Sequence, residues 1–189
     1  MATNPRILTA DDVFDLPVPE GIGGYDFVDG ELVPIMPASF THGRLLIEVG
    51  YRLRDHVEKA GLTGDVVSDT AFVLGLPRDP ERMRSPDVAY ISREKTAGTN
   101  PHRLVRNVPE FVVEVDLTSG KKPGGKQRVV DYLAAGVSLV WTIDVYSATA
   151  MAYRPDGSAH LYHDDDVLDA GDVVPGFRLP LKELFPDAR

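Results

Sequence analysis

Apolar positions along this chain follow two periods, and the alternation between them sketches its elements. Leu46, Val49, Leu53 and Val57 recur at the spacing of one helical face up to Gly61, with Ser39 or Thr41 placed to cap the start. Val129, Val130, Leu133 and Ala134 repeat that pattern between Lys126 and Ala135, and Gly136 follows as a favoured helix end. A short helix is predicted at 9–16, where Thr9 precedes acids in the first turn and Pro17 and Pro19 stop it. Continuous apolar runs read as buried strands at 109–116, 85–91 and 137–144, with shorter candidates at 65–67 and 71–74. Asp29-Gly30 between 25–28 and 31–35 is a hairpin signal, and a second hairpin is expected at 148–153 and 159–162 around Pro155-Asp156-Gly157. A short strand and helix close the chain between Pro175 and Phe185. This order predicts an α/β fold with a mixed central β-sheet flanked by helices and with N- and C-terminal β-hairpins.

Length fits a single domain over 1–189, and 43% apolar with 26% charged residues is ordinary for a folded core. The absence of cysteine removes a disulfide framework, a thiolate nucleophile and cysteine-ligated zinc. Neither the N-terminus nor any later stretch is apolar enough for a signal peptide or a membrane span, so a cytoplasmic protein with no membrane partner is expected. A formal charge of −9 argues against broad attraction to nucleic acid, and any DNA contact has to be local. Arg78, Arg82, Arg84, Arg93, Lys95, Arg103, Arg106, Lys121, Lys122, Lys126 and Arg128 gather around the two acidic strands and predict such a local positive surface; the plainer reading is a set of solvated loops. Residues 93–107 show little periodicity and read as a mobile basic loop.

Chemistry concentrates in Phe111-Val112-Val113-Glu114-Val115-Asp116. An unpaired carboxylate among these apolar neighbours costs several kcal/mol, roughly 2–7 on the scale for unsatisfied polar burial and more for a charge. Glu114 and Asp116 share a strand face and repel unless a cation or base lies between them. A metal is the simplest answer. Asp87, at the entrance of the 85–91 strand, supplies a second carboxylate, and two strands each delivering one is a ligand set for a hard cation such as magnesium. Plainer readings stand beside this: Asp116 pairing with Lys121 or Lys122, Glu48 as a solvated helix acid, His42 as a cap or packing residue, Tyr132 and Trp141 as core, and Asp144 as structural.

The ordered set Gly30-Glu31-Leu32-Val33, Pro37-Ala38-Ser39 with His42, Ser85-Pro86-Asp87-Val88, Pro109 to Val115, Tyr132 to Val137 and Trp141-Thr142-Ile143-Asp144 resembles the Uma2 family, a branch of the PD-(D/E)xK nuclease superfamily. The resemblance covers 25–185 and leaves 1–24 as an N-terminal decoration. It implies a restriction-endonuclease-like fold and an endonuclease that hydrolyses DNA with Mg2+, or Mn2+ as a substitute. Asp87 and Glu114, with the Val115 carbonyl, would then be the metal ligands, Asp116 would extend the site, and Glu48 would be an outer ligand. Lys126 or Arg128 would hold the attacking water or the scissile phosphate, Lys121 and Lys122 would add nucleic-acid contacts, and a homodimer is expected. The sequence departs from the family at two points: Leu117-Thr118 replaces a Ser-Pro step, and Arg128 stands where a lysine is usual. Arginine stays protonated and handles protons poorly. A catalytically impaired binding or regulatory module is therefore the competing expectation, with a metal-dependent hydrolase of smaller substrates as a third.

Overall fold

The computed structural model describes residues 8–116 and 125–185. In chain order the elements are α1 (Ala10–Phe14), β1 (Gly24–Val28), β2 (Glu31–Ile35), α2 (Phe40–Lys59), β3 (Gly64–Ser68), β4 (Phe72–Val73), β5 (Met83–Arg84) and β6 (Val88–Ser92). Then follow α3 (Arg93–Thr96), β7 (Phe111–Asp116), α4 (Gly125–Ala134), β8 (Leu139–Asp144), β9 (Thr149–Tyr153), β10 (Ala159–Tyr162), β11 (Val167–Asp169), β12 (Arg178–Pro180) and α5 (Leu181–Leu184).

A six-stranded sheet in the order β10-β9-β8-β7-β6-β3 forms the centre. Only β7 and β8 run parallel, from Phe111 opposite Leu139 to Asp116 opposite Asp144. Parallel neighbours need a crossover, and α4 lies on that connection. The sheet is covered on both faces. Phe111, Val113 and Val115 point toward Leu45, Val49 and Leu53 of α2, in one cluster with Trp141 and Ile143. Val112 and Val140 join Val129 and Tyr132 of α4 and Phe72 on the other face. That two-sided burial is why β7 reads as an unbroken apolar run.

A second sheet, β2-β1-β5-β4, carries the N-terminal hairpin. Its turn has Asp29 at φ 51° and Gly30 at φ 80°, the left-handed pair that a tight hairpin requires. Ser39 caps α2 by accepting the His42 N–H at 3.3 Å, and Thr9 caps α1 in a reciprocal capping box with Asp12. The expected mobile loop at 93–107 is instead partly ordered. It opens with α3, and Arg103 and Arg106 pair with Asp11, Asp15 and Glu81, tying the segment to α1.

Candidate functional site

The site forms where β6 stops short of its neighbour. The last β6–β7 pair is Val88 with Val113, and Pro86, lacking an N–H, cannot extend the ladder. The Asp87 side chain takes over: its Oδ2 accepts the Val115 N–H at 2.6 Å. A residue in an antiparallel ladder uses its N–H and C=O on the same edge, so the Val115 carbonyl shares the edge that Asp87 occupies. His42 Nε2 lies 3.2 Å from the same Asp87 Oδ2, and its Nδ1 is buried without a partner among the described residues. The hydrogen bond to Asp87 raises the His42 pKa above its usual value, against the opposing effect of burial. Asp69 follows β3 at the register position facing Asp87, with a left-handed φ of 47°. Burial, then the charge of Asp87, pushes its carboxyl up.

Glu114 sits on the α4 side of β7. Among the described residues its counter-charge is a guanidinium. Arg128 Nε donates to Glu114 Oε2 at 3.1 Å and Nη2 to Oε1 at 2.8 Å, a two-pronged fork, while the Tyr132 hydroxyl donates to Oε1 at 2.6 Å. One helical turn separates Arg128 from Tyr132, so α4 presents both to the same carboxylate. Burial still pushes the Glu114 carboxyl above its usual range, opposed by Arg128.

Arg128 also reaches Asp26 of β1 and the Ser85 carbonyl, the latter at 2.6 Å. From there a chain of charges runs through buried groups to the exposed β1–β2 turn. Arg84 joins Asp26 at 3.0 Å to Asp131 at 2.6 Å, and Arg82 joins Asp131 at 2.6 Å to Asp79 at 2.9 Å and Asp29 at 2.5 Å. Asp26, Arg82, Arg84 and Asp131 are all buried. This overturns the expected positive surface for most of its members: Arg82, Arg84 and Arg128 serve the interior, Arg103 and Arg106 hold α1, and Lys95 pairs with Glu110 at 3.3 Å. Arg78, Arg93 and Lys126 make no ion pair among the described residues. Excess carboxylates, 29 against 20 basic side chains, explain why so few cations remain unengaged.

Glu48 makes no contact with Asp87 or Glu114. It pairs with Arg52 at 2.5 Å, which also binds Glu183 of α5, so the helix acid serves the α2–α5 contact. Asp116 is half-buried on the Glu114 face and is engaged in an interaction of its own. Lys126 is exposed on the first turn of α4, and Lys121 and Lys122 lie outside the described residues. Asp144 is structural, accepting the Tyr146 and Ser147 N–H groups in a turn. Sequence reasoning passed over His42 as a site residue, together with Tyr132, Asp26 and Asp69. Tyr132 was open to detection from its helical spacing to Arg128, whereas nothing local links position 26 to position 128.

A family model described as "Putative restriction endonuclease" matches residues 10–182. The chain belongs to the Uma2 family. The Uma2 match spans the whole sheet and both covering helices, and the fold agrees with a crystal structure from Anabaena variabilis described as "a putative nuclease belonging to DUF820". That structure is 17% identical, superposes with a TM-score of 0.76, and is matched over 95% of this chain and 98% of its own. No curated protein matches the chain. Among the described residues, no helix is long and apolar enough to cross a membrane.

Among the described residues no three acidic or histidine side chains gather as a metal group. The available donors are oxygens of another kind of set. Asp87 Oδ1 receives no hydrogen bond among the described residues, and the Val115 carbonyl lies on the same edge. Of the about four lone-pair positions of Glu114, three are taken among the described residues, one of them on Oε2. Two carboxylates and a carbonyl suit Mg2+, which binds through one or two carboxylates and keeps several waters.

Proposed function

We propose that this Uma2 chain is a divalent-cation-dependent DNA endonuclease working at Asp87 and Glu114, with Mg2+ as the cation and Mn2+ as a substitute. The supporting observation is the Asp87–Val115 hydrogen bond of 2.6 Å, which fixes one carboxylate beside the strand that carries the other. A hard cation bound there supplies Lewis acidity and a more acidic water. The protein's part is positional. His42 and the Val115 N–H both engage Asp87 Oδ2 and leave Oδ1 without a hydrogen bond among the described residues, while Arg128 and Tyr132 hold Glu114. Asp116 lies one turn of the pleat from Glu114 and extends the acidic face. Lys126, exposed at the start of α4, is the ammonium available to a scissile phosphate, a role that Arg128 cannot readily take while its guanidinium faces inward.

The fork from Arg128 to both Glu114 oxygens favours a second reading, a catalytically impaired nuclease fold kept for binding or regulation. Cleavage of supercoiled plasmid and of single-stranded DNA with Mg2+ or Mn2+ decides between them, with EDTA and the Glu114→Gln and Asp87→Asn variants as controls. Cation-dependent nicking that falls on the order of a hundredfold or more in both variants supports the enzyme. Wild-type cleavage no greater than that of the variants supports the impaired module.

A further inference from the structure

α2 buries Leu45, Val49 and Leu53 in the core and leaves its opposite face bare. Phe40, Ile47 and Tyr51 lie along that outer face and are 87%, 70% and 66% exposed. Together they present roughly 400 Å2, as much as the biggest apolar patch of an ordinary monomer and about half of the ~800 Å2 that each partner buries in a specific complex. Two glycines share the stripe, and a glycine inside a helix costs about 1 kcal/mol relative to alanine. Neither Gly43 nor Gly50 has the left-handed φ that would require one. Among the described residues, a Cβ at Gly43 would meet nothing within 4 Å, and one at Gly50 only Val88 Cγ2 at 4.0 Å. The fold of one chain thus calls for neither glycine, whereas a partner lying close on this face would. Beside Gly50 a cavity of about 250 Å3 with mostly apolar walls opens between α2 and β3, lined by Ile47, Tyr51, Arg54 and Val66.

This face is complementary to itself. Phe40 and Arg54 each stand seven residues from Ile47, and Gly43 and Tyr51 each stand four. A two-fold axis through Ile47, with the helices antiparallel, therefore sets Phe40 of each chain against Arg54 and the cavity of the other, and Tyr51 against Gly43. Each ring then meets an open space, which is what an isologous contact needs: residue i meets j while j meets i. Parallel helices would instead stack Phe40 on Phe40, leave both cavities unfilled and bring two Arg54 guanidinium groups together. Charge permits the antiparallel contact. The chain carries a net charge of −9, yet no carboxylate lies among Phe40, Gly43, Ile47, Gly50 and Tyr51. The two Arg54 groups would be roughly 21 Å apart, beyond the ~10 Å screening length of 0.1 M salt, and each would face an aromatic ring. We propose that α2 is the dimerisation face of this chain, packing antiparallel on α2 of a second copy, with Phe40 of each seated in the α2–β3 cavity of the other.

Sedimentation of the full chain tests this and should show a dimer at micromolar concentration. Ile47→Asp places two carboxylates on the axis and should raise the dissociation constant about a hundredfold or more. Gly50→Leu fills the cavity while improving helix propensity, so it should raise that constant about tenfold or more with the fold intact by circular dichroism. The chain has no cysteine, so single introduced cysteines report the register without background. With an added oxidant, Ile47→Cys should link to itself, and Phe40→Cys should link to Arg54→Cys and not to itself, because a disulfide needs Cα atoms within about 7 Å. A wild type that is monomeric at about 100 μM overturns the proposal. So does a dimer that neither Ile47→Asp nor Gly50→Leu weakens, which would place the interface on another face. Phe40→Cys chains that link to one another, and not to Arg54→Cys, overturn it too. None of these readouts depends on DNA cleavage, so the nuclease reading and the interface stand or fall separately.

Discussion

A guanidinium in place of an ammonium changes what Glu114 has left to offer. A lysine would neutralise the carboxylate at one point, whereas Arg128 spans both oxygens and also satisfies Asp26 and the Ser85 carbonyl. Replacing it by alanine takes the only guanidinium contact of the described residues from Glu114 and leaves Asp26 to Arg84 alone, so Arg128→Ala should lose about 3–5 kcal/mol in urea unfolding. Arg128→Lys keeps the charge and frees part of Glu114. If the site is an enzyme limited by this residue, the lysine variant should raise cation-dependent plasmid nicking on the order of a hundredfold, the scale of one positioned proton-handling group. A slower lysine variant would count against that limit. Asp87 and Glu114 were legible in the sequence because acids interrupt strongly apolar strands. Their protein partners were not, since His42 and Asp26 come from elements whose local patterns carry no trace of the contact.

At the level of elements, the hairpin sheet is fastened to α4 by charge. Asp131 accepts from Arg82 and from Arg84, and its removal leaves both guanidinium groups buried and undercompensated. Asp131→Ala should therefore lose about 3–5 kcal/mol, measured by denaturant unfolding, and a loss below 1 kcal/mol would mean that solvent reaches the network. β3 is fitted more tightly to β6 than its edge position requires. A Cβ at Gly64 would stand 2.6 Å from the Ile91 carbonyl oxygen and 2.6 Å from the Tyr90 ring. Gly64→Ala should cost about 1–3 kcal/mol, read from the thermal midpoint.

The α1 clasp has a pH signature. The hydrogen bond from Arg106, against a lesser effect of burial and with help from Arg103, holds Asp11 below its usual 3.8. A depressed folded-state pKa means that the stabilisation is complete above 3.8 and is lost as pH falls through the lower folded value. Being largely exposed, the clasp should contribute less than about 1 kcal/mol. Hydrogen exchange in α1 should rise in acid, and Asp11→Asn should show the faster exchange already at neutral pH. The helices and hairpins were readable from periodicity and turn chemistry. The ordering of 93–107 was not, because salt bridges to a distant helix have no period.

Across the whole molecule, charge separates structure from recognition. Among the described residues most arginines near the sheet end in internal pairs, so few of their cations are left to displace counterions from DNA. Oligonucleotide affinity should consequently fall only shallowly with salt, with a log–log slope of magnitude below about 3, consistent with contacts to few phosphates. A steep slope would point to a positive face formed in the bound state. The mixed sheet was legible in outline, yet its strand order was not, because pairing depends on long-range packing and not on the alternation within any one segment.

The ion chain that joins residue 26 to residue 128 carries a consequence for the order of assembly. Its partners are 102 positions apart, and the acids at 87 and 114 belong to separate strands. Such distant contacts close late, after local helices have formed. The carboxylate pair is thus expected to be organised late in folding, and on the nuclease reading proposed above competence for chemistry would arrive with it. During refolding, the helical circular dichroism of α2 should return before the Arg128–Glu114 environment does, giving a lag between regained structure and regained function.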